Sequence, residues 1–470
     1  MYFISTKFVP FFLVFFVLYW TIPKHSIKNT LFLAVSYLFY GWFHPWFCLI
    51  LFITTLLDYL ISLGIDRKIW NKHLLIFISF VVNFGTLVFF KYNNFFLLEI
   101  QNALLRFGVE FQLVTLRIIF PLGLSFYTLK KFAYILDVAR QKVAVENNLI
   151  NFALFVAFFP QIASGPIDRA QNLLPQIQQE RRWNKTFFEN AWPLIVMGLF
   201  KKLVIADSLA VIVDKIFTLH QPSILLAFVG SLGFSFQLLA DFSAYTDLSR
   251  GISFLLGFQT PENFKSPYLS ISPTDFWSRW HITLSEWLRD YIFFPTRRAC
   301  LRSKTRYSKH TALIIPPLVT MLVSGFWHGT GWTFILWGFY YGLLIVIYQI
   351  AGFGGSWKPD NLFKHTMAWL IMFGLILFGW LIFRSPSIEW LTNIAAHSRF
   401  IQSENEIIVA VVCISTIAGY VAPLLIRHCI TAVKISTIRN LAMSIFYAVA
   451  LAAIVVFINS STPDFIYFQF

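Results

Sequence analysis

Thirteen apolar runs partition this chain, at about 8–22, 29–43, 46–64, 74–90, 113–129, 149–163, 191–210, 223–241, 312–325, 331–351, 366–384, 407–426 and 441–459. A helix needs ~20 apolar residues to cross ~30 Å of hydrocarbon. The pattern predicts an all-α, multi-pass integral membrane protein. Several runs fall short of that length, so some helices must tilt, re-enter or lie at the interface, which leaves roughly eleven true crossings.

Composition agrees. Of 470 residues 57% are hydrophobic and 13% charged, against roughly 25% charged in soluble domains. The net charge of +15 would suggest nucleic acid in a soluble protein. Here most Lys and Arg sit in short loops, where the positive-inside rule accounts for them, and no nucleic acid is expected. Cys48, Cys300, Cys413 and Cys429 are scattered, with no metal-ligand spacing. The first run, Phe8 to Ile22, has no cleavage signature after it and reads as a retained helix.

The loop charges predict an N-terminus outside the membrane. Lys24, Lys28, Arg67, Lys68, Lys72, Lys130, Lys131, Arg140 and Lys142 then fall inside. So does the basic segment Arg297–Arg306, whereas Glu389, Glu404, Glu406 and the tail from Asp464 to Phe470 fall outside. Between residues 150 and 300 the alternation fails, as broken helices around polar chemistry would make it do.

Four polar stretches interrupt the apolar background. The first, Gly325-Phe326-Trp327-His328-Gly329-Thr330-Gly331-Trp332, places an ionisable residue where it is costly and hence a functional candidate. A helix from about Ala312 to Ser324 would rise only ~20 Å, stopping below the outer surface and leaving His328 in a turn inside a protein cavity. Gly325, Gly329 and Gly331 would allow the tight backbone.

The second runs from Pro273 to Tyr291, with a helix start at Ser272-Pro273 and Asp275. On one helix Asp275 and Arg279, Trp277 and His281, and His281 and Ser285 would be neighbours. The bland alternative is an interfacial helix with satisfied charges at Arg279, Glu286 and Arg289. The third puts Gln237, Asp241 and Tyr245 on one helical face, and Ser243 and Asp247 on another. Asp247 reads as part of a network locking helices together, while Asp241 could orient a cavity histidine. The fourth, Ser164 to Arg169, reads as a structural turn.

Histidines with hydroxyls and carboxylates in a membrane cavity suit general base catalysis, in which neutral imidazole takes a proton from an attacking hydroxyl. GxSxG, HExxH and P-loop patterns do not occur, so Ser-His-Asp hydrolysis, metal-assisted hydrolysis and ATP use lack a signature. Packing or gating histidines are the competing explanation.

Six ordered blocks carry a resemblance: residues 121–138 (PLGLSFYTLKKFAYILDV), 164–177 (SGPIDRAQNLLPQI), 198–210 (GLFKKLVIADSLA), 234–258, 263–295 (containing FWSRWH) and 324–342 (SGFWHGTGWTFILWGFYYG). Together they resemble the membrane-bound O-acyltransferases, in particular the bacterial branch that modifies cell-envelope polymers. One local departure is Ala244, where many relatives carry Gly. The resemblance implies a helical bundle around a central funnel, formed by one domain over 1–470, with a matching core of about 30–345 and C-terminal helices over 366–459. It implies that His328 is the membrane-embedded histidine, acting as base or donor clamp, and that His281 assists from the donor side. Gln237, Asp241, Tyr245, Trp280, Ser285 and Trp327 would line the funnel.

The block at 165–176 and the C-terminal FIYFQF look most like alginate and peptidoglycan O-acetylation subunits. That branch implies a bacterial inner-membrane protein amid membrane lipid. Its acyl donor would be acetyl-CoA or an acyl-carrier thioester, with no permanently bound cofactor and no metal. It would work with an extracytoplasmic acetyltransferase partner on an envelope polysaccharide. The alternatives are D-alanyl transfer from a carrier protein to teichoic acid, or a non-enzymatic transporter. Transporters often carry inverted repeats, and the Trp-His blocks do not recur in the N-terminal half.

Overall fold

A computed structural model describes residues 3–109, 119–303, 306–355, 357–458 and 465. The start of the expected run at 113–129, part of the basic segment and all but Phe465 of the FIYFQF tail lie outside the described residues. Among the described residues every regular element is a helix. Eight are long and apolar enough to cross a membrane: Phe47–Asp66, Lys72–Arg106, Ile224–Leu255, Ser308–His328, Trp332–Ile350, Leu362–Arg384, Glu404–Ala432 and Ser436–Phe457. The protein is a multi-pass membrane protein. The first two apolar runs form Phe8–Thr21 and His25–Gly41, of 14 and 17 residues, below the length at which apolarity alone marks a crossing.

Packing divides the chain into two units, Met1–Trp192 with Ser249–Pro261, and Pro193–Leu248 with Glu262–Phe470. In the first, an aromatic core built on Phe15, Tyr19, Phe32 and Phe159 surrounds buried polar ties. Asp58 accepts hydrogen bonds from Ser79 (2.7 Å) and Asn83 (2.8 Å), and Lys131 Nζ lies 3.5 Å from its carboxylate. Three helices, Phe47–Asp66, Lys72–Arg106 and Leu124–Ala139, are thereby joined. Each of these groups would be costly to bury alone. Gly123 starts the Leu124–Ala139 helix at φ +76°, and a Cβ there would lie 2.0 Å from the Ile162 carbonyl oxygen. Only glycine meets both demands. Asp168, in the Ser164–Arg169 turn, accepts from Gln161 and Asn172, in keeping with a structural turn.

The second unit holds both histidines. Its core is aromatic: Phe234, Phe276, Trp280, Trp337, Tyr341, Trp380 and Phe383 are all buried. Such rings bring large apolar area and prefer the offset and edge-on contacts found here. The helices Ser308–His328 and Trp332–Ile350 touch almost backbone to backbone. A Cβ on Gly325 would lie 2.2 Å from the Phe334 carbonyl oxygen, and one on Gly338 2.3 Å from that of Met321. Small residues at such crossings are how membrane helices gain contact where lipid removes the hydrophobic drive.

Candidate active site

His328 is the last residue of the Ser308–His328 helix, not part of a turn beyond a short one. The 21 residues rise about 32 Å, so the expected argument from a short helix does not hold. Polar Ser308, Lys309 and His310 extend the helix beyond the apolar run, and Pro316 and Pro317 are accommodated inside it. What buries His328 to 7% exposure is packing. Its ring meets Trp327 at 5.0 Å, Trp337 at 5.0 Å and Phe383 at 5.7 Å between centroids. Gly325, Gly329 and Gly331 do not have positive φ. Gly325 and Gly329 serve close approach instead, since a Cβ on Gly329 would strike the Phe334 ring at 2.1 Å.

The histidine's protonation pattern follows from one contact. Nδ1 of His328 lies 2.6 Å from the carbonyl oxygen of Ser324, one turn earlier. A carbonyl only accepts, so in the neutral ring Nδ1 carries the proton and Nε2 the lone pair. The arrangement fixes the tautomer of the neutral ring, with the lone pair at Nε2.

His281 does not share a helix with Trp277. The helix Pro273–Trp277 ends after five residues, and His281, at φ +43° and ψ +53°, caps the next, Ile282–Leu288. The expected i,i+4 placement of Trp277 and His281 on one helix is therefore replaced by a kinked backbone. The start was as predicted, for Pro273 occupies the first turn and the Ser272 hydroxyl accepts from the Asp275 N–H. Asp275 and Arg279 pair at 2.7 Å. Arg289 reaches Asp290 at 3.0 Å and Glu286 at 3.9 Å, as satisfied interfacial charges do.

The kink directs the His281 ring between Phe242 (4.8 Å) and Trp327 (6.1 Å). Trp327 thus touches both histidines. His281 lies in the stretch between spanning helices and is 1% exposed. Burial, and then the neighbouring His328, hold its imidazole well below its usual pKa, so that it stays neutral.

The remaining expected residues are dispersed. Asp241 pairs with Lys202 at 2.7 Å, and Asp247 with Lys201 at 2.7 Å; the latter is the helix-locking network expected of it. Tyr245 meets Phe465 edge-on at 5.1 Å between centroids. Gln237 is buried, and its Oε1 meets no donor among the described residues. Trp280 belongs to the aromatic core, 4.8 Å from Trp380. Ser285 donates to the Trp280 carbonyl and lines a cavity of about 300 Å³ with Thr274, Trp277, Glu286, Arg289 and Gln349. Trp277, in the wall of that cavity, meets Trp337 edge-on, and Trp337 meets His328 edge-on. Sequence reasoning passed over Phe383, Trp337, Ser324 and Lys202. Trp337 stands within a quoted block, whereas Phe383 is 55 positions from His328 and carries no signal of its own.

Residues 32–384 match the model of MBOAT, the membrane-bound O-acyltransferase family. The chain belongs to that family. Among its relatives is the probable alginate O-acetylase AlgI of Azotobacter vinelandii, 36% identical over 392 residues, covering 83% of this chain and 76% of the relative. The peptidoglycan O-acetyltransferase of Helicobacter pylori is 32% identical over 396 residues, covering 77% and 73%. The teichoic acid D-alanyltransferase of Bacillus subtilis is 29% identical over 272 residues, covering 56% and 68%. As a membrane-bound O-acyltransferase the chain is an enzyme. The two O-acetyltransferase relatives match more of it than the D-alanyl one does.

Proposed function

We propose that this membrane-bound O-acyltransferase passes an acetyl group from a cytosolic thioester, acetyl-CoA or an acyl-carrier thioester, to or across the membrane toward a cell-envelope polysaccharide. It works in the bacterial inner membrane as one membrane-embedded domain, with an extracytoplasmic acetyltransferase as partner. The observation that carries the reading is the contact of His328 Nδ1 with the Ser324 carbonyl, which leaves Nε2 as the base. Nε2 takes the proton of the acceptor hydroxyl as its oxygen attacks the thioester carbonyl. The C–S bond of the tetrahedral intermediate then breaks, and the imidazolium returns its proton to the departing thiolate. No net proton is consumed. His281, neutral and joined to His328 through Trp327, shapes the donor side.

The cavity beside Trp277 and Ser285 suits the amide-bearing arm of such a thioester, since it combines aromatic walls with a few polar groups. The neighbouring helix Phe294–Arg302 has no buried residues and carries Arg297, Arg298 and Arg302. Those charges would attract a donor's phosphates, although membrane orientation alone accounts for them.

His328→Ala should abolish acetylation of the envelope polymer, with the protein still present in the membrane at normal levels. Unchanged acetyl content in that variant would sink the role of His328. D-alanyl transfer is the second reading, supported by the Bacillus subtilis relative; the donor separates the two. Membranes given [14C]acetyl-CoA should label the polymer, whereas labelling only by a D-alanyl carrier thioester would favour the alternative.

A further inference from the structure

His281 occupies left-handed backbone, φ +43° and ψ +53°, which L side chains rarely adopt. Such a residue persists where its surroundings over-determine it. Here the flanking residues are held from one place. The backbone oxygen of Asn263 accepts the Ile282 N–H at 3.0 Å. Its side-chain Oδ1 accepts both the Thr283 N–H at 3.2 Å and the Thr283 hydroxyl at 2.7 Å. On the other side of His281, the Lys265 N–H donates to the Arg279 oxygen at 2.9 Å. Three of these four bonds converge on Asn263, which is fully buried. Because a backbone N–H only donates, the oxygen of the Asn263 amide must face Thr283.

We infer that Asn263 is a positioning residue for the proposed acyl transfer, clamping the Ile282-Thr283 backbone so that the His281 imidazole stands between Phe242 and Trp327. The inference rests on the proposed role of His281. The ring is held in edge-on contact with two aromatic rings, so displacement must come through the backbone, and the clamp acts on the two residues that follow the strained one. Aspartate at 263 would keep both side-chain bonds; leucine, of similar size, would keep neither.

The test uses the full-length protein in membranes, with [14C]acetyl-CoA as donor and rates normalised to folded protein. Asn263→Leu should lower kcat by about tenfold or more while KM for acetyl-CoA stays within about twofold, because misplacing a group near the chemistry removes transition-state rather than ground-state interactions. Asn263→Asp should restore most of the rate. If Asn263→Leu does not accumulate, Thr283→Val and Thr283→Ser decide the matter, with a several-fold fall in kcat expected for valine and recovery for serine. His281→Ala is run alongside. An inactive His281→Ala beside fully active Asn263→Leu or Thr283→Val overturns the clamp and leaves the role of His281 standing. A fully active His281→Ala overturns the role of His281 itself, and the clamp with it. A loss of protein with unchanged kcat per folded molecule marks Asn263 as structural only and overturns the proposal.

Discussion

The carbonyl of Ser324 decides more about His328 than any of the rings around it. Trp327, Trp337 and Phe383 can bury an imidazole, but only a directional acceptor selects its tautomer. A second residue-scale demand is steric. Gly325 and Gly338 each face the backbone oxygen of the partner helix at distances no side chain can share, and backbone moves less readily than a side-chain tip. Gly338→Ala should therefore destabilise the purified protein by about 1–3 kcal/mol through overpacking, read as a lower thermal midpoint in detergent. Since His328 ends the Gly325-bearing helix, Gly325→Ala should also reduce acetyl transfer, measured on polymer acetyl content. An unchanged midpoint in both variants would mean that the helices separate more freely than this packing allows.

At the scale of elements, the segment Lys201–Ala206 is a π-helical turn, with the Asp207 N–H bonded five residues back to the Lys202 oxygen. In an α-helix, residues five apart point to different faces. The wider turn brings Lys202 and Asp207 together at 2.8 Å while Lys202 also meets Asp241 at 2.7 Å. The result is a buried cation between two carboxylates, tying this segment to the Ile224–Leu255 helix. Removing one member of a buried ion cluster costs about 3–5 kcal/mol, because the remaining charges lose their compensation. Lys202→Ala should thus lower membrane accumulation sharply. Replacing Lys202, Asp207 and Asp241 together by apolar residues should cost less than the single change. Melting curves of the two variants test the order, and a milder single variant would contradict it. The face Gln237-Asp241-Tyr245 is legible from helical spacing, but its partners are not, because a π turn breaks the periodicity on which such spacing arguments rest.

For the whole molecule, the charge distribution predicts a cytoplasmic Cys300, flanked by Arg298 and Arg302. Cys300 is partly exposed and free. A membrane-impermeant maleimide should label it in inside-out vesicles or permeabilised cells and not in intact ones; labelling of intact cells would reverse the orientation. The membrane class and the helical architecture were readable because run length and apolarity are properties of the chain in one dimension, answerable to a bilayer of known thickness. Depth was not readable. The apolar run at 312–325 begins four residues after the helix does at Ser308 and ends three before it does at His328, because helices continue through polar ends that the chain can still hydrogen-bond.

Sequence alone determined that this is a multi-pass helical protein, that His281 and His328 are its notable histidines, and, through six ordered blocks, that it resembles the family to which it belongs. Those conclusions rest on composition, run length and motif order. Tertiary structure alone decided that Trp327 joins the two histidines, that Ser324 selects the tautomer of His328, that Lys202 and not a histidine is joined by ion pairing to Asp241, and that Asn263 holds the backbone after His281. All but one of these depend on the direction of a bond or ring between segments distant in sequence or bent out of regular geometry; the Ser324 contact spans a single helical turn and depends on how the His328 ring is turned by its packing. Periodicity along a chain carries no information about such directions.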